Sequence, residues 1–162
     1  ISLDVVLDSV TYDAHTGLFI RNKTGGGVKR GTVAGRKKHN GYIEISINNT
    51  RYYAHRLAWL IHYGYWPEHQ IDHINGIRDD NRIVNLRSAT NMQNQYNAKM
   101  SKNNTSGVKG VYWHKQSKKW QAYCDANGRR YSLGLYHDIE QAKMSVMRFR
   151  EKMHSIFCNH GE

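Results

Sequence analysis

The polar stretch MSKNNTSG, residues 100–107, divides the chain into two parts. It has no apolar anchor, and small polar residues followed by glycine are typical of turns and linkers. With 162 residues, of which 39% are hydrophobic, the chain has material for two modest cores rather than one large core. We therefore predict a first domain at residues 1–99, a linker at 100–107 and a second domain at 108–162.

Residues 1–53 are rich in β-formers and glycine, and apolar and polar side chains alternate from Tyr42 to Ile47. Asn48-Asn49 has the composition of a hairpin turn, so this region predicts a small antiparallel sheet. Helical spacing of apolar residues follows until Gly64, and Pro67 favours an extended segment after it. The rest of the first domain is expected to run short strand, loop, short strand and helix, with Ser88 or Thr90 as the helix cap.

The second domain contains three short strand patterns, separated by turns at Gln116-Ser117-Lys118 and Asn127-Gly128. Asp138 is a suitable N-cap for a helix whose apolar residues recur at spacings of three and four. This pattern predicts a three-stranded antiparallel sheet packed on one helix. Together, the two domains predict an α+β protein.

The formal net charge of +11 points to a polyanionic partner, and nucleic acid is the leading candidate. A membrane surface is disfavoured because no long basic amphipathic stretch or apolar run of about 18 residues is present. The single cysteines, Cys124 and Cys158, form no CxxC pair, which disfavours a zinc ribbon and fits reduced thiols in a cytosolic protein. We expect a cytoplasmic location in a phage-infected or bacterial host cell.

The stretch QIDHINGIRDDNRIVNL, residues 70–86, concentrates groups that suit phosphodiester hydrolysis. That reaction needs a hard divalent ion with oxygen ligands and a base that works near neutral pH. Asp72 supplies a carboxylate, His73 supplies the base, and an asparagine on the following helix supplies a further oxygen. Read alone, the same stretch also fits an ordinary polar turn.

The residues Asp72-His73, then NGIRDDNRIVNLR, then Asn94 resemble the motif of HNH nucleases, in the branch of phage homing endonucleases. The resemblance spans residues 70–97 and implies a ββα-metal fold, with two strands and a helix around one divalent ion. It makes His73 the general base, Asp72 and Asn94 the metal ligands, and Asn85 the residue that holds the loop and orients the histidine. Oxygen ligands favour Mg²⁺ or Mn²⁺ over zinc.

For several neighbouring residues, the sequence allows two interpretations of their role. Asp79 and Asp80 are either further ligands or caps of the loop that pair with Arg78 or Arg82. His55 and Arg56, at the start of a predicted helix, either reach a phosphate or, for His55, pack inside the core. Asn91 and Asn97 share a helix face with Asn94, and only the resemblance selects Asn94.

Residues 106–153 resemble the Apetala or ethylene-response-factor type of DNA-binding domain through Gly107, Gly110, Trp113, Lys119-Trp120 and Leu133-Gly134, among others. In that family a three-stranded sheet lies in the major groove and the helix backs it. The expected DNA face includes Lys109, Tyr112, His114, Lys115, Lys119, Gln121, Arg129 and Arg130. Trp113 and Trp120 keep two interpretations: either one packs on the helix while the other meets the DNA, or both pack in the core.

These features predict a site-specific HNH endonuclease of the homing type that acts on double-stranded DNA with one divalent ion. A non-cleaving DNA-binding regulator is the main alternative, and an RNA-binding or structural phage protein is a third. The target sequence, the choice between nicking and double-strand cleavage, and the choice between monomer and homodimer do not follow from the sequence.

Overall fold

The computed structural model describes residues 1–161, and the chain forms two compact units, residues 1–89 and 90–162. The division therefore comes before the predicted linker at 100–107. The reason is local: the ring of Tyr96 stacks on His154 with centroids 3.7 Å apart, which joins the helix before the linker to the second unit. The linker itself is bonded into that unit, since the Ser106 hydroxyl donates to the Val111 carbonyl at 2.6 Å.

The first unit contains two helices and seven strands that form two-stranded and three-stranded antiparallel sheets. A 3₁₀ turn at Ile83–Asn85 precedes the last strand. In chain order the elements are α1 (Leu3–Ser9), β1 (Val10–Tyr12), β2 (Phe19–Arg21), β3 (Arg36–Lys37), β4 (Ile43–Ile47), β5 (Thr50–Tyr53), α2 (Ala54–Tyr63), β6 (Gln70–His73) and β7 (Leu86–Ala89).

Local chemistry explains the turns and ends of this unit. Asn48 and Asn49 adopt φ values of 48° and 62° between β4 and β5, as a two-residue hairpin turn requires. Helix α2 ends at Gly64, whose φ of 82° is left-handed. Both features confirm the sequence prediction. The short α1 was not predicted; it has no side-chain N-cap bond and buries Val6 in the core.

The core of the first unit is formed by side chains from both helices and from the sheets. Its largest fully buried members include Phe19, Ile45 and Leu57, and Ile71 and Leu86 bring β6 and β7 onto it. The β6–β7 hairpin is thereby held against the rest of the unit. Residues 74–85, which connect its two strands, carry most of the sequence motif.

The second unit consists of a short helix, a three-stranded sheet and a long helix. The elements are α3 (Asn91–Tyr96), β8 (Val111–His114), β9 (Lys119–Ala126), β10 (Arg129–Tyr136) and α4 (Ile139–His154), followed by a 3₁₀ turn at Ser155–Phe157. The strand order is β10-β9-β8, and both pairings are antiparallel. The α+β prediction is confirmed, including the three-stranded sheet packed on one helix.

Caps and turns set the limits of these elements. Thr90 and Gln93 form a capping box on α3, with Thr90 Oγ1 accepting from the Gln93 amide at 3.3 Å. Asp138 caps α4 through the Glu140 amide at 3.0 Å. Val111, Ala122 and Val146 form the buried centre between the sheet and α4.

Two further observations concern the described residues. Cys124 and Cys158 are both free thiols, as predicted. No helix within residues 1–161 has the length and apolar character that crossing a bilayer demands.

Candidate active site

His73 is the last residue of β6, and its imidazole is buried, with 4% of its surface exposed. Three groups surround the ring: His55 meets it edge-on at a centroid distance of 5.2 Å, Tyr42 lies 5.8 Å away, and Asn81 Oδ1 lies 3.4 Å from Nε2. Side chains of the first unit therefore contact the ring on several sides.

Burial lowers the pKa of His73 below its ordinary value. The hydrogen bond that His73 Nε2 donates to Asn81 Oδ1 and the negative charges of Asp72 and Asp80 oppose this effect without reversing it. The imidazole is consequently neutral near pH 7, and a neutral imidazole is the form that accepts a proton.

Asn81, which contacts His73, received no role from the sequence. The Tyr12 hydroxyl donates to its backbone carbonyl at 2.7 Å, and its side-chain amide donates to the Asp79 carbonyl at 3.2 Å. Gly17 lies so close that a Cβ there would come within 2.7 Å of the Asn81 backbone. The position of Asn81 inside the motif marks it as a candidate site residue. Its contact with His73, however, depends on how the loop after β6 folds back.

Asn85 connects the two ends of the motif loop. Its Oδ1 accepts from the Asn75 amide at 3.0 Å, and its Nδ2 donates to the Asp80 carbonyl at 2.8 Å. The Asn85 carbonyl also accepts from the Ile74 amide at 2.9 Å. These bonds hold the loop that follows His73; a direct role of Asn85 in orienting the imidazole stays a prediction.

Asp72 is buried, with 4% exposure, and is paired with Arg87. The two residues face each other across the β6–β7 hairpin, and Asp72 Oδ2 lies 2.8 Å from Arg87 Nε and 2.7 Å from Nη2. A metal ion on Asp72 would have to share this carboxylate with the guanidinium. This pair could not be predicted from the sequence, because a cross-strand partner depends on the register of the hairpin.

The Asp72 carboxylate beside His73 is the donor type that suits a hard ion, since such ions prefer oxygen ligands. Within residues 1–161, however, no group of three or more histidine, cysteine, aspartate or glutamate side chains is arranged to hold a metal. A complete ligand set would need amide or backbone oxygens, water or substrate oxygens in addition.

The two other acidic residues of the loop are bound to basic side chains. Arg82 donates from Nε and Nη2 to the Asp80 carboxylate at 2.8 and 2.6 Å, which lowers the pKa of Asp80 to about 2. Asp79 pairs with Lys37 at 2.5 Å. The pairing of Asp80 with Arg82 matches the loop-capping interpretation, whereas Asp79 pairs with Lys37 instead of Arg78 or Arg82.

His55 and Arg56, the predicted phosphate contacts on α2, are engaged inside the first unit. His55 is buried at 7% exposure, stacks on Tyr53 and meets His73. Arg56 donates to the Pro67 and His69 carbonyls at 3.3 and 3.4 Å. The prediction that His55 contacts DNA has no support here, because its surroundings are aromatic rings and not solvent.

His55 also has an unsatisfied atom: its buried Nδ1 has no hydrogen-bond partner. Burial lowers the pKa of His55 from 6.5 to about 3, with smaller contributions from His73 and Arg56. The folded protein therefore holds a second neutral imidazole against His73.

We expect this histidine to make the protein sensitive to acid. Because the folded-state pKa lies below the ordinary value, the unfolded chain binds the extra proton, and stability is lost as pH falls below about 6.5. Between pH 7 and pH 5 the loss from His55 is about 2 kcal/mol. Urea denaturation at pH 7 and at pH 5 measures this loss in the unchanged protein and in His55→Phe, which keeps an aromatic ring. An equal loss in both proteins would contradict the assignment.

Asn94, the other predicted metal ligand, lies on α3 in the second compact unit. Its helix is well defined locally by the Thr90 capping box. Asn91 begins the same helix and Asn97 follows its last residue. The participation of Asn94 in a metal site stays a prediction.

The sheet of the second unit has a face covered by α4 and an outer face. The register pairs Tyr112 with Gln121, His114 with Lys119, and Arg130 with Asp125, and these side chains alternate with the buried Val111 and Ala122. The outer face therefore carries, in chain order, Tyr112, His114, Lys119, Gln121, Tyr123, Asp125 and Arg130.

This face is less basic than predicted. Arg130 binds Asp125 through two bonds of 2.8 and 2.9 Å and covers the Tyr123 ring at 4.3 Å. Arg129, the neighbour of Arg130, points to the opposite side because it pairs with the buried Ala126. Lys115 is exposed in the turn between β8 and β9.

The two tryptophans and Lys109 make contacts within this unit. Trp113 and Trp120 are direct cross-strand partners with ring centroids 5.0 Å apart, so they lie on the same face of the sheet. Trp120 packs against the core between the sheet and α4, whereas Trp113 is 46% exposed. Lys109 donates to three backbone carbonyls, those of Tyr96, Ala98 and Asn159, so its ammonium is engaged within this unit. Its contact with DNA stays a prediction. Burial lowers the pKa of Lys109 to about 8.

Comparison with known proteins identifies the region around His73. Residues 52–96 match the family described as HNH endonuclease. Protein 3.8 of Escherichia phage T7 is 32% identical over 105 residues, which cover 64% of this chain and 86% of that protein. No solved structure matches the chain. The chain therefore belongs to the family of phage T7 Protein 3.8 and contains an HNH endonuclease domain at residues 52–96.

Proposed function

We propose that this protein is a metal-dependent DNA endonuclease of the HNH type, which hydrolyses phosphodiester bonds at a specific DNA site. The observation that carries the proposal is the buried, neutral imidazole of His73 at the end of β6, inside the segment that matches HNH endonucleases. A base of this kind suits the removal of a proton from water at neutral pH.

The proposed roles follow from the contacts of each residue. His73 accepts the proton of the attacking water, and Asn81 Oδ1 accepts from Nε2, which leaves Nδ1 as the nitrogen that takes the proton. Asn85 keeps the loop closed. Asp72, and by resemblance Asn94, would hold one Mg²⁺ or Mn²⁺ ion, which would offset negative charge on the phosphate and the leaving oxygen. Arg87 holds the Asp72 carboxylate in place.

We propose DNA binding for the second unit, on the resemblance of residues 106–153 to Apetala-type domains. The outer face offers Tyr112, Lys119 and Arg130, and Lys115 lies at its edge. Because Arg130 is already bound to Asp125, contact with phosphates through Lys115 and Lys119 is the main expectation. The homing-type specificity rests on the resemblance alone, and the proposed setting is the cytoplasm of a phage-infected or bacterial host cell.

The endonuclease proposal predicts cutting of supercoiled DNA that depends on a divalent ion. Supercoiled plasmid and phage genomic DNA are incubated with the protein in Mg²⁺, in Mn²⁺ and in EDTA, and the products are separated on agarose gels. We expect open-circle or linear plasmid with either ion and none in EDTA. If the nicks carry 5′-phosphate and 3′-hydroxyl ends, as the resemblance implies, DNA ligase reseals them.

A DNA-binding protein that does not cleave is the second candidate function. The observation that favours it is the engagement of Asp72 by Arg87, which competes with a metal ion for the carboxylate. Binding of duplex DNA without ion-dependent cutting of either substrate would establish this alternative and reject the nuclease.

A further inference from the structure

The glycine-rich segment from Lys23 to Lys38 is basic and has no role in the function proposed above. Its sequence, KTGGGVKRGTVAGRKK, contains six lysine and arginine residues and no acidic residue. It lies in the first unit between β2 and β4 and includes the two residues of β3. We call it the basic loop.

The basic loop has its own backbone hydrogen bonds. At its tip, Gly25 and Val28 donate to each other's carbonyls at 3.0 and 3.1 Å around Gly26 and Gly27, whose φ values are 58° and 82°. At its base, the Arg21 amide donates to the Thr32 carbonyl at 2.9 Å. The backbone of the loop is thus defined by hydrogen bonds in a hairpin-like arrangement.

The six basic side chains fall into two groups. Lys23, Lys37 and Lys38 form ion pairs with Asp8, Asp79 and Glu44, respectively. The other three, Lys29, Arg30 and Arg36, are exposed and have no carboxylate partner among residues 1–161. The uncompensated charge of the loop is therefore concentrated in these three residues.

We propose that Lys29, Arg30 and Arg36 form a contact surface for the phosphate backbone of duplex DNA in the nuclease unit. The choice of DNA as the partner rests on the proposed function, since the substrate of an HNH nuclease is DNA. Three cations without acidic partners suit a linear array of phosphates, and no ion pair has to be broken before they bind it. The bonds within the loop reduce the ordering that binding would otherwise require.

This proposal predicts a specific change in the salt dependence of binding. Fluorescence anisotropy with a labelled 30-base-pair duplex of arbitrary sequence, in EDTA to prevent cutting, compares the unchanged protein with Lys29→Ala/Arg30→Ala. Each phosphate contact contributes about 0.9 to the slope of log K against log salt concentration. We expect the slope to become shallower by about 1.8 and affinity at 0.1 M salt to fall on the order of tenfold or more.

The matched control is Arg148→Ala/Lys152→Ala, which removes one arginine and one lysine from exposed positions of α4. For this control, the slope of log K against log salt concentration should change clearly less than it does for Lys29→Ala/Arg30→Ala. The side chains of Lys29 and Arg30 make no internal bond among the described residues, so circular dichroism should show an unchanged fold.

The possible results separate the loop from the proposed nuclease. If the unchanged protein binds the duplex and both double variants show the same slope, the loop contact is rejected while cleavage remains a separate question. If the unchanged protein fails to bind the duplex, the loop contact is also rejected, and the plasmid assay decides the nuclease proposal. Stronger binding of duplex RNA than of duplex DNA would reject DNA as the partner.

Discussion

Replacing His73 with alanine is expected to lower the rate of metal-dependent DNA cleavage by a factor of about 10²–10⁴. The imidazole is the only group at the end of β6 to which we assign proton removal, and its lowered pKa keeps it in the accepting form. Affinity for DNA should remain close to that of the unchanged protein, because the proposed phosphate contacts lie elsewhere. Single-turnover cleavage and anisotropy measure the two effects separately.

His69→Ala is the control for this substitution, since His69 is exposed and lies just before the same strand. It should cleave at the rate of the unchanged protein. Asn81→Ala removes the partner of Nε2 and should give an intermediate rate. Cleavage by His73→Ala at the rate of the unchanged protein would reject His73 as the base while leaving the endonuclease activity itself in place.

Replacing Arg87 with methionine is expected to lower the free energy of unfolding by about 3–5 kcal/mol. The substitution leaves the Asp72 carboxylate in a site with 4% exposure and without the guanidinium that now binds it. A buried charge that loses its partner is among the most destabilising single changes. Thermal and urea denaturation measure the loss.

A double variant tests whether the loss of stability comes from the unpaired charge or from altered packing. Asp72→Leu/Arg87→Met removes both charges and should recover most of the stability, because replacing a whole buried pair with apolar groups is often neutral. It should not cleave DNA if Asp72 is a metal ligand. A double variant that is as unstable as Arg87→Met alone would show that the ion pair is not the source of the loss.

Features governed by local chemistry could be predicted from the sequence. Gly64 ends α2, Thr90 caps α3, and Asn127-Gly128 turns between β9 and β10 with φ values of 51° and 72°. In each case the residue type and its immediate neighbours suffice, because only a few residues tolerate left-handed backbone or satisfy a free helix end.

Features governed by strand register or by distant parts of the chain could not be predicted. Trp113 faces Trp120 because the turn between β8 and β9 brings these two positions into register. Arg87 meets Asp72 for the same reason in the β6–β7 hairpin. Lys109 is bound by carbonyls from α3 and the C-terminal segment, which are far from it in sequence.

The position of Gly17 has a consequence for the evolution of the HNH segment. The backbone of residues 81–82 passes so close to Gly17 that no side chain fits between them, and Tyr12 is bonded to the same stretch. Both residues precede the segment that matches HNH endonucleases. Residues 52–96 therefore do not form an independent structural unit. A recombination event that exchanged them alone would separate the loop at residues 74–85 from the region of Tyr12 and Gly17, against which it packs.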